Sequence, residues 1–208
     1  MANKLDAYEQ TDYEFAQAAF EFVGRDVYFE MCPLDSAEAT LMRGTGSCVH
    51  LVNVFIALCR SAGIKARYKF FEVAMSSNLQ NQFVDIDPLF SKMYGELGQF
   101  MTEAQGEAYI DGTWVVAHPG AIPEFTASAG GPIIKFGEDP IVRDPNTNVV
   151  PGTLTYPESM PLRLGSGMAI FNWLAPAPIE RMNMGAEIFK SISVQSAWLS
   201  RYLSSSAS

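Results

Sequence analysis

An α+β fold is predicted for this chain on three observations. A helical pattern opens near the N-terminus, a second and far more apolar one begins at Cys48 behind a glycine-containing turn, and two strand-like runs meet at Asp111-Gly112. With 48% hydrophobic and 12% aromatic residues over 208 positions, the chain can bury a sizeable core. A single domain over 1–208 is expected, with core motifs in 11–120 and a Pro/Gly-rich segment and C-terminal helix in 121–208.

Each element has a local cause. Thr11 and Glu14 make a capping box ahead of FAQAAFEFV, whose Phe15, Ala19, Phe22 and Val23 recur at helical spacing. A helix is therefore expected from about Asp12 to about Gly24, which ends it. Asp26 to Met31 is rich in strand formers, and Cys32-Pro33 breaks the run. Asp35 with Glu38 repeats the capping pattern and opens a short helix through Met42. From Cys48, the stripes Val52, Phe55, Ile56, Cys59 and Leu51, Val54, Leu58 leave little polar surface, so this helix should be packed nearly all round. Gly63 supplies a left-handed stop, and Ala66 to Val73 follows as a strand. Residues 74–100 carry no clear period. EAQGEAYI and TWVVAHP flank Asp111-Gly112, the strongest short hairpin signal in the chain. Beyond Pro119 the chain is rich in Pro and Gly to about residue 167, with short strand-like pieces such as PIIKF. An apolar helical pattern then runs from Ile179 to Leu203 before an SSSAS tail, and no internal repeat is visible.

Charge and composition exclude some functions. A net charge of -9 and a pI near 4.7 repel a phosphate backbone, and no basic run offsets that sign, so nucleic acid is set aside as a partner. The opening MANKLDAYEQTDYEF lacks the basic and apolar regions of a signal peptide, and no apolar run has the length to span a bilayer. A soluble, cytoplasmic protein without a membrane partner is expected. Cys32, Cys48 and Cys59 form an odd, sparse set without C-x-x-C spacing, so reduced thiols are expected. With two histidines and no clustered ligands, neither a metal nor an organic cofactor is expected.

Cys48 is the first candidate for chemistry. A cysteine in the first turn of a helix feels the partial positive charge of unpaired N–H groups, which favours thiolate, and the same groups can face the oxyanion of an attacked carbonyl. The plainer alternative is a small buried residue.

The stretch GTGSCVHLVNVFIALCRSAGIKAR, residues 44–67, resembles a signature of the transglutaminase-like superfamily, which shares a core with papain-type cysteine proteases. That signature is G-x-C, then a helix ending L-x-R-x-x-G-I-P-A-R. Gly46, Cys48, Leu58, Arg60, Gly63, Ile64, Ala66 and Arg67 fall in register, with Lys65 where proline is usual. The family's second block, H-x-W-x-E-V-Y-I-D-G-x-W-V-x-x-D-P, is matched by Glu107, Tyr109, Ile110, Asp111, Gly112, Trp114, Val115 and Pro119. The likeness covers about 11–120 and implies a transglutaminase/papain-like core, its helix beginning at a catalytic Cys48 and packed on an antiparallel sheet. The chain departs from the pattern at two places. Glu103 stands where the family keeps its catalytic histidine, and His118 where it keeps the orienting aspartate, so acid and base have changed places.

With a two-residue turn at 111–112, side chains 103, 105, 107 and 109 share a sheet face with 114, 116, 118 and 120, which makes Glu103 and His118 diagonal neighbours. The resemblance puts Glu103 beside Cys48 and His118 one step behind, and an ionised carboxylate there raises the thiol's pKa. Two arrangements are open: His118 contacts Cys48 while Glu103 fixes its tautomer, or Glu103, held at a raised pKa by burial, handles the proton itself. The implied activity is cysteine-dependent acyl transfer or hydrolysis of an amide, ester or thioester from a small-molecule or peptide substrate, with Cys48 as nucleophile, His118 shuttling the proton and Glu103 orienting it. The alternatives are an isomerase, lyase or cyclase acting on a small metabolite, and a non-catalytic binding module. No oligomeric state follows from the sequence.

The remaining candidates read as structural. His50 points away from the Cys48 side as a packing or hydrogen-bonding residue, Cys59 is core, and Cys32 lies in a loop, with proximity to the site left open. Arg60 and Arg67 cap the helix or pair with carboxylates, Glu107 pairs with Arg67, and Tyr109 and Trp114 are cross-strand core partners. Met168, Phe171, Trp173 and Met182 are read as core, with an apolar cover over the cleft as the alternative.

Overall fold

The computed structural model describes residues 9–74, 88–96, 100–120, 133–143, 148–161 and six positions between 173 and 184. Helix α1, Asp12–Asp26, starts at the expected capping box: Thr11 Oγ1 accepts from Glu14 N at 3.3 Å, and Thr11 N donates to Glu14 Oε2 at 2.9 Å. It does not stop at Gly24. That glycine keeps a negative φ, nothing lies within 4 Å of its Cβ position, and the helix runs on to Asp26 before Val27 caps it in an extended conformation. The strand read across 26–31 shrinks to β1, Tyr28–Phe29, paired in parallel with β2, Thr45–Gly46. Between them α2, Ala37–Arg43, is capped by Ser36, whose hydroxyl accepts from Ala39 N at 3.1 Å. Asp35, expected as that cap, instead binds the Thr40 hydroxyl at 2.9 Å and the Arg43 guanidinium.

Helix α3, Cys48–Ser61, buries nine of its fourteen residues, as its double apolar stripe requires. Phe55, Leu51 and Ile56 are each at most 1% exposed, and burying side chains of this size is worth about 2–3 kcal/mol apiece. Gly63 takes the left-handed φ of 85° after the helix, and β3, Ala66–Ala74, returns along it. Arg60 ties the two together, its Nε and Nη2 donating to Ala66 O at 3.1 and 2.7 Å.

A helix α4, Pro88–Glu96, falls in the stretch where no period was legible. Strands β4, Phe100–Ile110, and β5, Thr113–Ala117, then form the expected hairpin, with Asp111 and Gly112 both at positive φ, 48° and 83°. A final short strand, β6, Asn148–Val149, completes an antiparallel sheet of order β5-β4-β3-β6. The architecture is α+β, with α3 packed between α1 and the sheet.

Alternation divides the sheet. Ala104 and Ala108 of β4 belong to the core cluster with α3, and Gly106 lets the helix approach so closely that an added Cβ would lie 2.8 Å from Phe55 Cδ1. Glu103, Gln105 and Glu107 occupy the opposite phase, registered against Phe71, Lys69 and Arg67 of β3. The stretch expected as a strand at PIIKF contains none among its described residues 133–136. It plants Phe136 in the core instead, against Tyr13, Phe20 and Phe55 at ring separations of 5.3, 5.9 and 6.3 Å. Asp139 follows, then a one-turn helix α5, Pro140–Arg143. The Pro-rich 148–161 segment lines the free edge of β3, with Tyr68 N donating to Pro157 O and Phe70 exchanging both bonds with Thr155. The long helix read at 179–203 lies almost wholly outside the described residues, as do Met168, Phe171 and Met182; Trp173 is 79% exposed, which removes it from the core. No described helix is long and apolar enough to cross a membrane.

Candidate active site

Cys48 is the first residue of α3, behind the N-cap Ser47. The turn is built around His50. Its Nδ1 accepts from Ser47 N at 3.1 Å and lies 2.8 Å from Ser47 Oγ, while Nε2 meets Pro33 O at 3.1 Å. A backbone N–H can only donate, so Nδ1 is unprotonated and Nε2 carries the proton to the Pro33 carbonyl. Burial holds His50 below its ordinary pKa, so the ring is neutral. Gly46 is required here because a Cβ would lie 2.5 Å from that of His50, which gives the G-x-C spacing its steric cause. His50 is thus the hydrogen-bonding residue it was expected to be.

The Cys48 thiol is half-buried, and its pKa is pushed up to about 12. Burial is the main cause and the Glu103 carboxylate the second; backbone N–H groups of Cys48 and Val49 act the other way. The sulfur rests as a thiol at the helix tip, in the direction expected when a carboxylate replaces the imidazole.

Glu103 and His118 stand on the same sheet face, as the hairpin register requires, with His118 Nε2 3.9 Å from Glu103 Oε2. That separation is too long for a hydrogen bond. Burial raises Glu103 to about 7, and burial lowers His118 to about 4, with Lys69 adding to the fall and Asp139 opposing it. Glu103 Oε2 and His118 Nδ1 are both buried without a partner. The backbone turns back over the imidazole, with Gly120 N donating to His118 O at 2.8 Å and the Gly120 Cβ position 3.3 Å from His118 Nε2. At pH 7 the set therefore holds a neutral thiol, a neutral imidazole and a carboxyl group that titrates near neutrality. It can pass a proton through Glu103 without a resting ion pair.

Of the three sequence-derived site residues, Glu103 and His118 are brought together directly, while Cys48 is tied to Glu103 by charge. Sequence reasoning missed Lys69 and Asp139, an ion pair at 2.6 Å whose charges act on His118. Lys69 was legible in principle from its phase on β3; nothing marks Asp139. Cys32 sits with Sγ 3.7 Å from His50 Nε2 and 3.4 Å from Arg43 Nη2, so it supports the turn before α3, and Cys59 is fully buried. Arg67 pairs with Glu107 at 2.6 Å as expected. Tyr109 and Trp114 do meet across the strands at 5.0 Å, but they are 39% and 36% exposed, so they are surface partners and not core. The Arg67 guanidinium lies 4.0 Å from the Trp114 ring centroid and 4.4 Å from that of Tyr156. Among the described residues no group of three metal-ligating side chains converges.

The family described as the transglutaminase-like superfamily matches residues 1–119. Among solved structures, one described as "a Putative Cysteine Protease from Cytophaga hutchinsonii" aligns over 75% of this chain at 19% identity with a TM-score of 0.39. The chain spans 48% of that structure's length. No curated protein matches the chain.

Proposed function

The chain belongs to the transglutaminase-like superfamily, and from that premise we propose a cysteine-dependent acyl transfer or hydrolysis with a rewired triad: Cys48 is the nucleophile, Glu103 takes its proton, and His118 stands behind Glu103. One observation carries this order. Glu103 is the ionisable side chain whose charge bears on the Cys48 thiol, and it shares its sheet face with His118 at 3.9 Å.

The steps balance without a cofactor. As Sγ bonds to the carbonyl carbon of an ester, thioester or amide, its proton passes to the Glu103 carboxylate and the carbonyl electron pair moves to oxygen. N–H groups at the start of α3 face that oxygen. Collapse expels the leaving group, which takes the proton from Glu103. Water or an amine then attacks the thioester and gives its proton to Glu103, and departure of the Cys48 sulfur returns that proton to the thiol. Neutral His118 stands 3.9 Å from Glu103 Oε2; once that gap closes, a protonated Nε2 can donate to the carboxylate and steady its ionised form.

Incubation with 4-nitrophenyl acetate, followed by peptide mass spectrometry, tests the reading. The acetyl group should appear on Cys48, be absent in Cys48→Ala, and form more slowly in Glu103→Gln. Turnover that survives Cys48→Ala would remove the nucleophile from the scheme. A second reading, proton transfer on a small metabolite by an isomerase, lyase or cyclase, draws on the near-neutral pKa of Glu103. It predicts that turnover of such a metabolite leaves no acyl adduct on Cys48.

A further inference from the structure

We propose that Gln105 is a substrate-binding residue, and that it takes a neutral edge on which an amide N–H and its C=O lie side by side. The inference rests on the reading of Cys48 and Glu103 as the reacting pair and names the ligand chemistry of that same site.

Its basis is a concentration of unmet hydrogen bonds. Among the described residues, the buried side-chain polar atoms without a partner are Glu103 Oε2, His118 Nδ1, and both Nε2 and Oε1 of Gln105. All belong to one sheet face. Gln105 is the next residue in phase after Glu103 on β4, is registered against Lys69 on β3, and falls opposite His118 if the β4-β5 pairing is continued by one residue. Its carboxamide is 0% exposed. Lys69, its neighbour across the strands, is committed to Asp139 at 2.6 Å and satisfies neither atom.

A buried amide with both ends unmet is costly to the fold, and a core position can be filled more cheaply by an apolar side chain of similar size. A carboxamide instead offers one donor and one acceptor from a single planar edge. Its best complement is another such edge, which closes two hydrogen bonds at once. A trans peptide group is excluded, because its N–H and C=O point in opposite directions. A primary carboxamide and a lactam ring both qualify, since in each the N–H lies on the same side as the carbonyl oxygen. Such a ligand would lie on the face carrying Glu103 and His118, so Gln105 would fix its position relative to the reacting pair.

Gln105→Met, unbranched and close in size, separates this role from a structural one. Melting temperatures of the intact protein, its Cys48→Ala variant and Gln105→Met are measured with propionamide, 2-pyrrolidinone or N-methylacetamide, the last being a trans amide. Gln105→Met should melt at the same temperature as the parent or higher, because the unmet amide is gone. Propionamide, 2-pyrrolidinone or both should raise the melting temperature of the parent and of Cys48→Ala, N-methylacetamide should not, and Gln105→Met should lose the effect. A shift with propionamide alone identifies a primary carboxamide as the source, and one with 2-pyrrolidinone alone a lactam. A lower melting temperature for Gln105→Met, a shift that survives that substitution, or no shift in the parent overturns the proposal. Because Cys48→Ala is read alongside, failure of the cysteine chemistry leaves this result standing and failure here leaves the cysteine chemistry standing.

Discussion

Replacing Glu103 with glutamine should reveal a pH dependence of stability that the intact site conceals. Burial moves Glu103 from its ordinary 4.5 to about 7 and His118 from 6.5 to about 4. Their side chains are 21% and 19% exposed, and each displacement corresponds to roughly 3 kcal/mol of folding free energy. The signs differ. Folded Glu103 holds its proton more tightly than the unfolded chain does, so its contribution is fully present below pH 4.5 and is lost as pH rises through about 7. Folded His118 holds its proton more weakly, so its contribution is present above pH 6.5 and is lost as pH falls through about 4. Between these limits the two slopes oppose one another, and the pair leaves the parent nearly level. Glu103→Gln removes one slope. The difference in unfolding free energy, variant minus parent, should climb by roughly 3 kcal/mol from pH 4.5 to pH 8. Urea unfolding followed by tryptophan fluorescence, at fixed ionic strength across that range, measures it. A difference that does not change with pH would show that Glu103 titrates as it would in water, and the reasoning from burial would be refuted.

Other substitutions probe the surroundings. The pH at which iodoacetamide alkylation of Cys48 sets in should fall in Glu103→Gln, because the charge that opposes the thiolate is gone; an unchanged pH profile would detach Glu103 from the sulfur. Arg67→Ala strands the Glu107 carboxylate, which is 7% exposed, and should cost about 3 kcal/mol in chemical denaturation. Glu107→Gln should cost less, about 1 kcal/mol, since Arg67 is 26% exposed and keeps its stacking on Trp114 and Tyr156. Equal losses would contradict that asymmetry. Gly106→Ala should destabilise by about 1–3 kcal/mol because Phe55 must give way, whereas Gly24→Ala, in an open helical position, should stabilise by about 0.5–1 kcal/mol. Calorimetric melts of the two variants should move in opposite directions.

The elements that sequence exposed are those whose cause is local. Thr11 and Glu14 cap α1 through their own side chains, and Asp111-Gly112 makes its turn by backbone preference alone, which also fixed the phase of Glu103 and His118 on one face. Failures came where a long-range partner decided. Asp35 looked like a cap by spacing, yet Arg43 and Thr40 draw it away and leave Ser36 to the helix. PIIKF has strand composition, but Phe136 is held by α1 and α3, which pulls the segment out of any ladder. Tyr109 and Trp114 have core chemistry on a face whose neighbours there are Arg67 and solvent. The exchange of acid and base was visible in the chain, whereas the extent of burial that sets their pKa values was not, because it depends on how the finished fold covers that face.

The residue that closes the turn ahead of Cys48 carries one more consequence. At the third position of a helix an acidic side chain commonly reaches back to the cap, and its negative charge cancels part of the helix's positive end. Here an uncharged ring fills that place, and the opening turn of α3 contains no acidic residue. The helix's own opening turn therefore takes nothing from the electric field at the start of α3 that meets whatever oxygen gains negative charge beside the sulfur. Acid strong enough to protonate Nδ1 would remove the acceptor that Ser47 relies on and loosen the turn that aims the thiol.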